Sequence, residues 1–406
     1  MRDVTWFGVV VGVVSAAGLL AVAANRVSER LRVPAPLIFL VVAAVVSDLV
    51  PGLERVPVVT VQRVVTVTLV VLLFDGGMHI GWGRLRVAGW AVLWVGVAGT
   101  VVTAAGVAVL AHLAFGFDWR SGLLLGVALA PTDPAVVFSV LGRREIVGRS
   151  GTLLEGESGA NDPVGIAAMA ALLAAGGGGW HAVGSGVGVF AEQMLVGAVV
   201  GVAGGWLLSV TMRRVALPNI ALYPLRTLLG AGVVYGIACA LHGSGFLAVF
   251  VAGVCVGDVR APFKEEIERF HASLASLAEI VAFAVLGLTV SLCALADGHA
   301  WATGLALGVL LALVVRPALV GLVLWPVALS RAERALVLWC GLKGAVPILL
   351  GTYLLSAAVP GADHMYQIIV VVVAFSVLVQ GGLVPAVARR ARLLAPAPAV
   401  PEPPEP

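Results

Sequence analysis

Apolar runs of about twenty residues recur along the chain, each closed by a cluster of charges or of Gly and Pro before the next run begins. A run of that length crosses about 30 Å of hydrocarbon as a helix. Thirteen candidate spans follow: roughly 4 to 23, 34 to 51, 57 to 74, 88 to 113, 121 to 140, 158 to 175, 187 to 211, 221 to 241, 244 to 257, 273 to 293, 300 to 329, 333 to 356 and 366 to 387. The pattern predicts an all-α integral membrane protein. The first run, with Arg2 ahead of it and Ala-Val-Ala near its end, has the look of a secretion signal. Its length, and the many apolar runs after it, favour a retained span.

Composition agrees with that pattern. The 406 residues are 60% hydrophobic and 12% charged, outside the soluble range of about half apolar and a quarter charged. Cys239, Cys255, Cys293 and Cys340 are scattered through apolar stretches without a paired spacing, so they read as small hydrophobes and not as ligands or disulfides. No charged run suggests nucleic acid, and no cofactor is expected.

The basic residues fix an orientation. With the N-terminus outside, eighteen Lys and Arg fall in alternate loops on the cytoplasmic side, four (Arg2, Arg55, Arg63, Arg120) fall opposite, and Arg226, Arg316 and Lys343 fall within spans. Cytoplasmic loops collect positive charge. A missing span would destroy this alternation, so an odd count, an outer N-terminus and a cytoplasmic C-terminus in an inner, plasma-membrane setting are expected. Residues 1–392 form the membrane domain on this reading, and the Pro-rich 393–406 a disordered cytoplasmic tail with no regulatory domain.

Charges at membrane depth are costly and need a partner or a watery cavity. In the fifth span, Pro131-Thr132-Asp133-Pro134 interrupts the helix, freeing carbonyls and adding side-chain oxygens. In the twelfth, Gly341-Leu342-Lys343-Gly344-Ala345-Val346-Pro347 does the same with a cation in place of the acid. Spans five and twelve are seven apart. That is the offset of two inverted six-helix repeats, spans 1 to 6 and 8 to 13, and paired interruptions of this kind point to a midplane site in secondary transporters. Asp133 is then suited to the positive N-terminal ends of the crossing half-helices and Lys343 to the negative C-terminal ends.

The sixth span opens on Glu155-Gly156-Glu157-Ser158-Gly159-Ala160-Asn161-Asp162-Pro163, with Glu157 and Asn161 on one face and Ser158 and Asp162 on the next. These oxygens suit a dehydrated hard cation. Arg316, in the middle of the eleventh span, requires a buried acid, and Glu157 is the expected partner. Asp75, before Gly76-Gly77 at the end of the third span, is a candidate for the ion pathway. Glu155 reads as a helix cap, and Glu279, Arg226 and Asp48 as interfacial.

A buried carboxylate disfavours its own charge, so protonation competes with cation binding there. One site holding either a proton or a cation is the minimum machinery for exchange, and Asp162, with Thr132, Ser158 and Asn161 as neutral oxygens, is the expected shared site, with Asp133 counted among the cation- and proton-binding residues. One titrating acid suggests one-for-one, electroneutral exchange. A channel built on the same oxygens would move cations without protons. A metallo-hydrolase is disfavoured because no HExxH spacing occurs.

Thr132-Asp133-Pro134, Glu157-Ser158 with Asn161-Asp162-Pro163, Arg316-Pro317 and Gly341-Leu342-Lys343-Gly344 together resemble the NhaP-type monovalent cation:proton antiporters, in the same chain order. The resemblance spans the whole membrane part. It implies a homodimer whose protomers each pair a core domain, mainly spans 4–6 and 11–13, with a dimerisation domain, and elevator-type movement of the core. It assigns Na+ or K+ to Asp162, Ser158 and Thr132, a structural ion pair to Glu157 and Arg316, the helix break to Asp133, and the pathway to Asp75. Lys343 stands where Arg is common in that family and Asp75 where Glu is. The Glu-Ser-Gly-x-Asn-Asp-Pro string is similar to the potassium/proton branch.

Overall fold

The computed structural model describes residues 34–49, 56–141, 146, 149–175, 180–297 and 300–394. The first expected span and nearly all of the Pro-rich tail lie outside them. The described residues fold almost wholly as helices, and one short bridge pairs Ile146 with Leu394.

In chain order the helices are α1 (Ala35–Leu49), α2 (Val58–Arg86), α3 (Gly89–Phe115), α4 (Trp119–Leu129), α5 (Pro134–Leu141), α6 (Ser150–Ala174) and α7 (Trp180–Arg214). They continue as α8 (Leu222–Ala240), α9 (Gly245–Gly257), α10 (Lys264–Gly287), α11 (Leu292–Asp297), α12 (Ala300–Val323), α13 (Arg331–Trp339), α14 (Ala345–Ser356) and α15 (Ala362–Arg390). Seven of them, α2, α3, α7, α8, α10, α12 and α15, are long and apolar enough to cross a membrane, and α4 with α5 forms an eighth path bent by 41°. Helices therefore occupy each expected span from the second to the thirteenth.

Local chemistry sets the boundaries. Asp118 caps α4, accepting from the backbone N–H groups of Arg120 and Ser121. Ser330 and Glu333 close a capping box at α13, and Gly116 ends α3 in the left-handed conformation at φ 73°. Two spans run longer than their apolar runs suggest. α2 continues past Phe74 to Arg86, and α10 starts nine residues before the expected 273. In both cases polar residues that read as loop are helix, because part of each helix faces a cavity instead of lipid. Asp75 and Glu279 are consequently well inside their helices.

Helices approach closely through small residues, the usual device where lipid supplies no hydrophobic drive. A side chain added at Gly77 or Gly253 would strike the facing backbone where α2 crosses α9, and one at Gly126 would strike Ala104 where α4 crosses α3. Outward faces are apolar: Trp90 is 70% exposed, Leu113 75% and Trp325 75%. Such a surface suits hydrocarbon and would be untenable in water.

Candidate functional site

The path of α4 stops at Leu129 because Pro131 and Pro134 flank a segment that cannot donate helical hydrogen bonds, and it resumes as α5. The α13–α14 path stops over Cys340–Gly344. The two breaks meet. The Asp133 N–H donates to the Leu342 carbonyl at 2.8 Å. Lys343 Nζ donates to the Ala130 carbonyl at 3.0 Å and the Pro131 carbonyl at 3.1 Å, at the C-terminal end of α4. Asp133 takes the complementary place: its Oδ1 accepts from the Ala135 N–H at 2.9 Å in the first turn of α5, and its carboxyl lies against Gly344, which precedes α14. Each break thus sets a charge of suitable sign against helix ends.

Replacing Lys343 by Met leaves the Ala130 and Pro131 carbonyls without their charged donor. It is expected to cost about 1–3 kcal/mol, read as a lower melting temperature of the detergent-purified protein. A variant as stable as wild type would show that these carbonyls do not depend on the ammonium.

α6 passes beside the α4–α5 break. Asn161 Nδ2 donates to Thr132 Oγ1 at 2.7 Å, and the Thr132 N–H donates to Asn161 Oδ1 at 3.3 Å. Ser158 Oγ donates to the Thr132 carbonyl. Asn161 is therefore engaged on both sides of its amide in holding Thr132, and neither residue lines the cavity, although both were expected among the cation's oxygens. Asp162, Ser158 and Asp133 do line it. Asp162 is half-buried, and its Oδ1 has no hydrogen-bond partner among the described residues. Pro163, inside α6, withdraws the helical donor that the Gly159 carbonyl would receive, and Gly159 borders the same space.

Behind this layer, Arg316 Nη2 lies 2.8 Å from Glu157 Oε1, with both residues at most 3% exposed. The guanidinium also donates to the carbonyls of Leu338 at 3.0 Å and Val337 at 3.3 Å, near the end of α13. Arg316 and Pro317 sit in a π-helical stretch of α12, Leu311–Val320. Pro317 supplies no backbone donor, and π-turns often mark functional positions. Nothing in the apolar pattern distinguishes this stretch from ordinary helix.

The cavity has a volume of about 400 Å³ and lies between α2, α6, α10 and the two breaks. Asp75 is on its wall, with His79 Nδ1 3.0 Å from the Asp75 carbonyl and 3.4 Å from its Oδ2. Glu155 and Glu279 are on the wall as well, where the sequence reading made them a cap and an interfacial residue. Glu155 misled because α6 begins at Ser150, a turn and more ahead of it. Glu279 reads as interfacial because the polar residues ahead of it look like loop, whereas they form the first turns of α10. The signal that could have found it is the small-residue spacing of Ala272, Ala275, Ser276 and Ala282 around it, which marks a face opposed to something other than lipid. The two other residues read as interfacial lie at helix ends: Asp48 Oδ2 caps α11 through the Leu292 N–H at 2.8 Å, and Arg226 donates to the carbonyls of Thr211 and Val215 at the end of α7. No group of three His, Cys, Asp or Glu side chains arranged to hold a metal occurs among the described residues.

Two interrupted helices meeting over an acid-lined cavity in an apolar bundle define a multi-pass membrane protein of the secondary-transporter class. The chain belongs to the sodium/hydrogen exchanger family, whose family model, described as "Sodium/hydrogen exchanger, transmembrane", matches residues 16–390. Among curated relatives, the K(+)/H(+) antiporter NhaP2 of Shewanella sp. (strain MR-4) is 33% identical over 380 residues, which cover 92% of this chain. The chain spans 65% of the length of that relative. The Na(+)/H(+) antiporter NhaH of Halobacillus dabanensis is 29% identical over 366 residues, covering 84% of this chain and 89% of the relative. In fold, the chain is similar to the sodium proton antiporter MjNhaP1 from Methanocaldococcus jannaschii, with a TM-score of 0.75 at 21% identity, covering 92% of this chain and 99% of that one. These relatives are transporters, not enzymes.

Proposed function

We propose that the protein exchanges a monovalent cation, Na+ or K+, for protons across the membrane, and that the two compete for Asp162. The observation that carries this reading is the unpartnered Oδ1 of Asp162, on a cavity wall beside the Ser158 hydroxyl. The Ser158 hydroxyl gives its proton to the Thr132 carbonyl, so its lone pairs are left for a cation. Thr132, fixed by Asn161, stands one layer behind, and Asp133 holds the negative potential at the break. Relatives whose names include K(+)/H(+) and Na(+)/H(+) antiport support the substrate class.

In this mechanism Asp162 carries a cation one way and a proton the other, one for one, and so electroneutrally. The Glu157–Arg316 pair is occupied with itself and takes no part in the exchange. The loaded forms cross and the empty form does not, because an uncompensated carboxylate is too costly to move through the apolar bundle. Movement is of the elevator type. A core of spans 4–6 and 11–13 slides against a dimerisation domain built from the other helices, in a homodimer. The two breaks belong to inverted six-helix repeats within thirteen spans, with the N-terminus outside and the C-terminus cytoplasmic. The cavity, lined in part by His79 and Glu155, then opens to the cytoplasm, and Asp75 belongs to the ion pathway.

The test is cation-driven proton movement in proteoliposomes of the purified protein, with Na+, K+ and Li+ supplied in turn from acid to alkaline pH. Exchange is expected to rise and then fall with pH. Low pH keeps Asp162 protonated, and high pH leaves no proton to return. Cation flux without proton movement would make the protein a channel or uniporter and overturn the reading.

A further inference from the structure

On the wall of the cavity that Asp162 also lines, α10 presents a stripe of small residues, Ala272, Ala275, Ser276 and Ala282, with Glu279 among them. Glu279 lies away from both ends of α10. Its Oε1 is buried and has no hydrogen-bond partner among the described residues. The groups it shares the cavity with are almost all acids: Asp133 at the break, Glu155 and Asp162 on α6, and Asp75 on α2. The basic side chain on the wall, His79, is paired with Asp75. Lys343 is turned to the carbonyls of Ala130 and Pro131. A charge at membrane depth needs a partner or a watery cavity; Glu279 has the cavity, and no protein group on these walls supplies it with a counter-charge. The Ser276 hydroxyl, a turn away on the same stripe, adds a neutral oxygen.

We infer that Glu279 is a second cation-binding carboxylate. A monovalent cation entering the cavity is held first at Glu279 on α10 and then passes to Asp162 on α6, and Glu279 thereby sets the apparent affinity on this side of the membrane. This rests on the exchange reading above. It also gives the two walls different duties: the acid on α6 travels with its cargo, while the acid on α10 concentrates the cation within the cavity.

The experiment compares wild type, Glu279→Gln and Glu279→Asp in proteoliposomes, measuring the rate of proton movement against cation concentration on the cavity side. In Glu279→Gln the apparent KM for the cation is expected to rise roughly three- to tenfold, with the maximal rate close to wild type. Glu279→Asp is expected to recover most of that affinity. Adding Ser276→Asp to Glu279→Gln moves the carboxylate one turn along the stripe and is expected to recover part of it. A wild-type KM in Glu279→Gln overturns the inference while leaving exchange at Asp162 standing. A fall in maximal rate with KM unchanged, the mark of a merely structural role, overturns it too. Absence of proton movement in the wild type with every cation tried overturns both readings together.

Discussion

Replacing Asp162 by Asn reduces cation-driven proton movement to the background of empty vesicles while leaving the amount and the melting temperature of the purified protein near wild type. The asymmetry follows from where the side chain sits. Asp162 Oδ1 has no partner among the described residues, so neutralising it removes no hydrogen bond that the fold relies on. It also relieves the cost of a charge in the bundle. The amide can neither release a proton at accessible pH nor offer an anionic oxygen to a cation, so both halves of the exchange fail together. Asp162→Glu, which keeps the charge but moves it by one methylene, is expected to retain exchange with altered cation affinity. Normal exchange in Asp162→Asn would place the shared site elsewhere. Loss of exchange accompanied by loss of folded protein would make Asp162 a structural acid.

The second large effect is on stability. Arg316→Ala strands the Glu157 carboxylate, at 3% exposure, without its guanidinium, and it also strips the Leu338 and Val337 carbonyls of a donor. Breaking one side of a buried pair costs roughly 3–5 kcal/mol, whereas replacing both sides by apolar groups of similar size is often neutral. The single variant should therefore melt far below wild type in detergent, and Glu157→Leu combined with Arg316→Met should recover much of the difference. The carbonyls near the end of α13 set the limit of that recovery, since Met gives them nothing. If the double variant is no more stable than Arg316→Ala, those carbonyls and not the ion pair are what Arg316 chiefly serves.

Much of this was legible in the sequence because a membrane penalises charge. Few charged residues fall inside apolar runs, so Arg316 had few acids to choose from, and Glu157 was one; the two side chains lie 2.8 Å apart. The prolines around Thr132 and Asp133 announced a break by removing donors, and Gly341 to Pro347 announced another. That Lys343 reaches the end of α4 follows the same helix-end electrostatics. Less legible was anything depending on which side of a helix faces the interior. Glu279 and Asp75 were read at helix ends, since an acid after or before an apolar run looks like the start of water. They are instead residues facing a cavity inside longer helices. Asn161 shows the converse difficulty. Its spacing put it beside the cation's expected oxygens, but hydrogen-bond satisfaction turned both ends of its amide onto Thr132. The π-helical stretch around Pro317 left no trace in the pattern of apolar positions at all.

The contacts that close the crossing of the two breaks join parts of the chain made at very different times. Lys343 meets Ala130 and Pro131 across separations of 213 and 212 residues. During synthesis, the half carrying Asp133 is inserted long before the residues that tie its break exist. Until α13 and α14 arrive, the end of α4 keeps its carbonyls unanswered, and Asp133 has no second helix start to face. The completed site can therefore close only after most of the chain has been made. A chain cut in the loop after α7 and co-produced as two pieces would have to find its own partner before either break could hold a charge in place.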